Sequence, residues 1–233
     1  MVSDYAYLFL PPKRCRDLPC VIYEDVKEKM EKIIEMLFSD YEGLLKPRLS
    51  LDFMPVNRAE STGMLFERIG DIALTVICVL ESNEENPTVM HLPKDLPDII
   101  GVSKETLMKD ALENMRKVAS PVLTDLNYIV TGTSSEKPIA LVCMDKNFIS
   151  GGAVFMIPEI QNAIIDYFGG EDFYVIPSSR EELIMVKKET VAAENVIRVI
   201  REVNNSDCVA ETNFLSNSLF VFDTIKHQLS MCC

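Results

Sequence analysis

The chain reads as an α+β protein, with a mixed, mainly antiparallel sheet flanked by helices. Three observations predict it. Short apolar and β-branched runs recur along the chain, with helical-period segments set between them. The C-terminal half follows a ββα-ββα-β rhythm. Apolar residues make up 48% and charged residues 25% of 233 positions, a balance that supports a buried core. We expect a single α+β domain over 1–233, with an N-terminal lobe 1–122 and a C-terminal lobe 123–233.

The elements follow in order. "YAYLFL" opens the chain as a β-prone run ahead of Pro11-Pro12. Residues 22–38 place Val26, Met30, Ile33, Ile34 and Leu37 at helical spacing, with charges opposite. "RLSLDFMPV" (48–56) alternates Leu49, Leu51 and Phe53 inward as a strand, "NRAESTG" turns, and 71–80 forms a buried strand. Ser103 caps a helix over 104–119. Beyond it, "NYIVTG", "IALVCMD" and "GGAVFMI" read as strands. Pro158 opens a helix that Gly169-Gly170 ends. "FYVIP" and "LIMVK" flank a polar turn; a helix over 192–205 and a strand "SLFVFD" follow.

Composition narrows the function. With 23 basic and 36 acidic residues the net charge is −13, which repels phosphate backbones and anionic lipid, so neither nucleic acid nor membrane is an expected partner. No apolar run approaches the ~20 residues of a membrane helix. No basic region precedes "YAYLFL", so no signal peptide is expected. Seven cysteines without a framework point to a reducing, cytoplasmic setting. No second pair answers Cys15 and Cys20, so no zinc is expected. Cys232-Cys233 reads as a tail carrying two thiols.

The motifs narrow it further. His91 and His227 are the two histidines, too far apart for an HExxH site and poorly placed for a triad. There is no phosphate loop, and Gly151-Gly152 reads as turn chemistry. The acidic pairs Glu84-Glu85, Asp95-Asp98 and Glu181-Glu182 read as solvated faces, so we expect no metal and no cofactor. In "DFYVIPSSREELIMV" (172–186), Pro177 ends a strand and Ser178 and Ser179 bond nearby amides. Arg180, Glu181 and Glu182 are expected outside. No base is in sight to activate a serine.

This stretch, with "IREVNNSDCVAETNFLSNSLFVFD", "RIGDIALTVICVL" and "VSKETLMKDALENM", resembles in order a bacterial family of unknown function frequent in gut Firmicutes, over roughly residues 48 to 223. The resemblance implies a cytosolic bacterial protein and no particular activity. Members commonly carry a His-Glu pair after the Pro-Ser-Ser, where this chain has Glu181 and Glu182. They also carry further N-terminal elements, abbreviated here, which would leave a sheet edge open near Tyr5, Tyr7 and Phe9. The expected function is therefore a non-catalytic module that binds a protein partner or a second copy of itself. The alternative is a small hydrolase-like enzyme using Ser178 or Ser179 with Glu182.

Overall fold

The computed structural model describes residues 31–81, 88–134, 136, 138–147, 149–205 and 212–232. The early strand near Tyr5, the Cys15/Cys20 pair, Val26, Met30, Glu84-Glu85 and Cys233 lie outside them. The fold is α+β, as the sequence predicts, with helices flanking antiparallel sheets. There are two sheets, and every described ladder in them is antiparallel.

The first sheet has four strands: β1 (Leu49–Pro55), β2 (Phe66–Ile69), β3 (Ile72–Glu81) and β4 (Thr88–His91). β3 is long enough to pair with β1 along one side and with β2 and then β4 along the other. The alternation in "LSLDF" sends Leu49, Leu51 and Phe53 into the main core, beside Leu74, Val76, Cys78 and Met90. The opposite face carries Ser50, Asp52 and Thr75, and these polar side chains are buried too. Both faces of β1 are therefore covered. Burial pushes the Cys78 thiol up to about 12, so it behaves as an apolar filler.

The second sheet runs β10-β9-β7-β8-β6-β5. Its strands are β5 (Pro121–Asp125), β6 (Ala140–Asp145), β7 (Phe173–Ile176), β8 (Glu182–Lys187), β9 (Phe220–Asp223) and β10 (Gln228–Met231). Its inner face supplies Leu141, Cys143, Phe173, Val175, Leu183, Met185, Phe220 and Phe222 to the same core. Phe173 stacks on Phe222 at 5.1 Å between ring centres, and Phe155 meets Phe222 edge-on at 5.3 Å. The core is thus continuous across both sheets.

Helices close the rest. Residues 31–39, labelled α1, bury Ile34 and Leu37 while Ile33 and Met36 stay exposed. Short α2 (Val56–Ser61) stands where a turn was expected, and α3 (Leu96–Ile100) follows β4. α4 (Lys104–Val118) starts at Ser103, whose hydroxyl accepts from the Thr106 amide. It buries Asp110, which accepts from the Tyr41 hydroxyl at 2.5 Å and lies 3.4 Å from Lys46 Nζ. Desolvation, with that carboxylate, raises the Tyr41 pKa well above the usual phenol range. α6 (Pro158–Tyr167) begins at its proline, and α7 (Ala193–Asn204) covers the outer face of the second sheet through Val196 and Ile200, against Tyr174 and Ile176. Among the described residues no helix is long and apolar enough to cross a membrane.

Two expected strands are not strands. "LNYIVT" forms α5 (Leu126–Thr131), despite its β-branched residues, because both ends are capped. Asp125 accepts from the Asn127 amide at 2.9 Å, and Gly132, at φ 73°, donates to Tyr128 O at 2.8 Å. The first strand of the C-terminal rhythm is instead the earlier "PVLTD". "GGAVFM" forms a 3-10 helix, with Ala153, Val154 and Phe155 buried on all sides. Its glycines are required by closeness: a Cβ on Gly151 would lie 2.2 Å from the Arg180 carbonyl oxygen, at φ 47°.

That geometry predicts that Gly151→Ala costs about 3 kcal/mol or more, since a positive φ and a backbone clash combine. Gly132→Ala, at positive φ but with open space around it, should cost about 1–2 kcal/mol. Urea unfolding of the two variants measures the difference.

Candidate functional site

The Pro177–Glu182 turn is organised by short-range hydrogen bonds. Ser178 N donates to Ile176 O at 2.9 Å, and Ser179 N donates to Glu182 O at 3.3 Å. The Ser179 hydroxyl accepts from the Glu181 amide at 3.1 Å, closing a local loop. The Ser178 hydroxyl donates to Glu182 Oε1 at 3.1 Å. Ser178 and Glu182 are thus brought together, while Ser179 is engaged with the backbone. Glu181 turns the other way and accepts from Asn213 Nδ2 at 2.9 Å. The two acids do not converge.

Arg180 is the correction. It was expected outside with its neighbours, yet its side chain runs inward across the covered face of β1. Its guanidinium pairs with Asp52 Oδ2, and Nε donates to Phe53 O at 3.0 Å. The turn is held in that pose from three sides. Arg180 N donates to Asn213 O at 2.9 Å, its carbonyl accepts from Gly152 N at 2.9 Å, and the tight approach needs Gly151. The charge of Asp52 raises the Arg180 pKa against the effect of burial.

His91 completes the cluster from β4. Its Nδ1 lies 3.2 Å from Thr75 Oγ1, which in turn is 3.0 Å from Asp52 O, and its Nε2 lies 3.8 Å from Asp52 Oδ2. Burial depresses the imidazole to about 4; Asp52 pulls it upward, while Arg180 and Arg58 push it down. The ring is neutral at pH 7. Histidine, hydroxyl and carboxylate are adjacent here, but Thr75 is wholly buried and cannot meet a substrate. The order of contacts is that of a buried polar network rather than a nucleophile and its base.

Beside this network lies a cavity of about 150 Å³, lined by Asp52, Val89, Ile149, Gly151, Arg180, Glu181 and Asn213. Ligand pockets usually span about 300–1,000 Å³. Neither Ser178, Ser179 nor Glu182 lines it. Among the described residues no three His, Cys, Asp or Glu side chains gather as a metal site would require. Asp52 and Thr75 were missed by sequence reasoning, which set His91 aside and placed Arg180 outside. One signal was present: the polar alternates Ser50 and Asp52 in an otherwise apolar strand, which fit a buried polar face as well as a wet one.

The class this defines is an α+β protein of two antiparallel sheets, joined by an Arg-Asp pair whose carboxylate is buried and lacking a recognisable catalytic constellation among its described residues. The chain belongs to the family of unknown function DUF5688, which matches residues 15–224. The match extends well before the region of the short motifs. No solved structure matches the chain.

Removing Arg180 strands a buried carboxylate, so Arg180→Met should cost about 3–5 kcal/mol, with Arg180→Met/Asp52→Asn recovering part of that. Chemical denaturation of the two singles and the double closes this cycle. His91 gives a pH signature. Its folded pKa, about 4, lies below the unfolded 6.5. As pH falls through that window the unfolded chain takes up the proton first, so stability falls, by at most about 3 kcal/mol. Below about pH 4 both states are protonated and this contribution stops changing. His91→Gln should flatten the profile between those limits relative to wild type, as urea titrations at several pH values would reveal.

Proposed function

We propose that the chain is a non-catalytic, cytoplasmic module that associates with a second copy of itself along β5. One observation carries this reading. β5 is the last strand of its sheet, and no described strand pairs with its outer edge. Beside it, α5 presents Tyr128, Ile129 and Val130, the last 74% exposed. Ile139 and Tyr167 extend the apolar surface, and the Tyr167 hydroxyl donates to Pro138 O at 3.1 Å. An unpaired edge with apolar flanks favours pairing with another chain.

Charge selects the occupant. Two copies each carrying −13 repel over most of their surfaces. From Val118 to Ser135 Asp125 is the single charged residue, and it is turned inward at the start of α5, 9% exposed. Two copies can meet here without like-charge contact, and an antiparallel edge suits a two-fold axis. The free, buried thiols of Cys78 and Cys143 support a reducing compartment.

The competing hydrolase reading rests on the Ser178–Glu182 hydrogen bond. Against it stand the small cavity and the absence of either serine from its lining. Ser178→Ala should shift stability by about 0.5–1.5 kcal/mol through the lost bond and nothing more. A covalent adduct of a fluorophosphonate probe at Ser178 or Ser179 would establish the enzyme reading instead.

Sedimentation equilibrium should show a reversible dimer. Val130→Asp, a change at an exposed position, should weaken it by about tenfold or more by placing two charges in a two-fold contact. A monomer at the highest soluble concentration would rule the proposal out.

A further inference from the structure

We infer that each copy seats its α5 in the groove between α4 and α6 of the other. This rests on the β5 association proposed above and specifies how it closes. An open groove of about 620 Å³ lies at the Pro121 end of β5. Pro121, Ile157 and Ile160 give it apolar walls, and Glu113, Arg116, Lys117 and Glu159 edge it. Arg116 Nε donates to Glu159 Oε2 at 3.1 Å, so these two charges already satisfy each other across the rim.

Strand geometry then decides what reaches it. β5 has five residues, about 17 Å at the usual rise. An antiparallel two-fold pairing that uses the whole strand centres on Leu123 and sets Pro121 against the partner's Asp125. α5 follows Asp125 directly. The partner's helix therefore emerges just past Pro121, at the mouth of the groove, carrying its exposed Tyr, Ile and Val. α6 starts at Pro158 beside the groove and ends at Tyr167, whose hydroxyl bonds Pro138 O, two residues ahead of β6, whose Leu141 pairs with Asp125 at the far end of β5. It thus runs along the strand from one contact to the other. By symmetry the arrangement occurs twice, and each groove, whose two acids Glu113 and Glu159 are balanced by Arg116 and Lys117, receives an uncharged helix.

The test places photoreactive p-benzoylphenylalanine at Val130 in the full chain, mixes ordinary and ¹⁵N-labelled protein, and maps cross-links by mass spectrometry. The expected result is a mixed-isotope link from position 130 to peptides containing residues 113–121 or 157–160. Ile160→Asp should weaken dimerisation about tenfold, whereas Val199→Asp, exposed on α7, should leave it unchanged. A dimer whose links fall elsewhere overturns this seating while leaving self-association standing. A link confined to one chain also overturns it, by showing the groove filled internally. A strictly monomeric protein overturns both.

Discussion

The arrangement of the two sheets depends on the Arg180–Asp52 pair. β1 is an edge strand, yet six of its seven residues are buried. A buried edge keeps backbone groups that water no longer reaches, and these need partners from within the protein. No further strand supplies them among the described residues. Arg180 does so from the other sheet: its fork holds Asp52 with one arm and Phe53 O with Nε. Such a pair adds little net stability over an apolar replacement, because both ions must be desolvated. Its role is positional, since only one approach of the second sheet satisfies the carboxylate and the carbonyl together.

Two further contacts repeat this logic along the junction. Asp145 ends β6 and accepts from three backbone amides, those of Ser120, Asn147 and Ser150. The loop so fixed presents the Ser150 hydroxyl to Ser50 on β1, 2.7 Å away. At the other end, Asp71 accepts from the hydroxyls of Ser216 and Ser218. Each junction joins short side chains on one sheet to a rigid turn on the other. The Pro-Ser-Ser stretch belongs to this set. Its hydroxyls shape the turn that aims Arg180, which accounts for two adjacent serines without calling on chemistry.

Much of this fold is legible in the sequence where the signal is local. Ser103, Pro158 and the alternation of Leu49, Leu51 and Phe53 act over a few residues and give their elements directly. The errors arise where distant atoms decide. The 3-10 helix at 151–156 is set by the Arg180 carbonyl, far along the chain, and a uniformly apolar run has no period to reveal it. α5 differs in being local: the β-branched content of "NYIVTG" predicts a strand, whereas the caps at Asp125 and Gly132 make it a helix. β4 and β10 have four residues each, two of them polar, and lack the phenylalanines that mark the equally short β7 and β9. Arg180 illustrates the limit for the site. A basic residue in a polar turn is ordinarily solvated, and only the three-dimensional position of Asp52 turns it inward and half buries it.

The sheet edges show where function is more reasonably sought. The β1 edge is held by an arginine and a serine from the opposing sheet. At β10, Met231 packs so closely on the β2–β3 turn that a Cβ at Gly70 would sit 2.7 Å from its own. The β1 edge is closed by tight, sequence-specific contacts, whereas β10 is held, among the described residues, at Met231 alone and leaves that side chain half exposed. β5 receives no comparable treatment among the described residues: no lysine lies on it, no bulge interrupts its ladder, and the helix that follows exposes its largest apolar side chains. Pro121 removes one donor at one end only. Edges left unguarded are a liability for a monomer. In a chain whose β1 edge is held by an ion pair from the opposing sheet, an edge that is both unguarded and free of exposed charge fits a surface kept for contact.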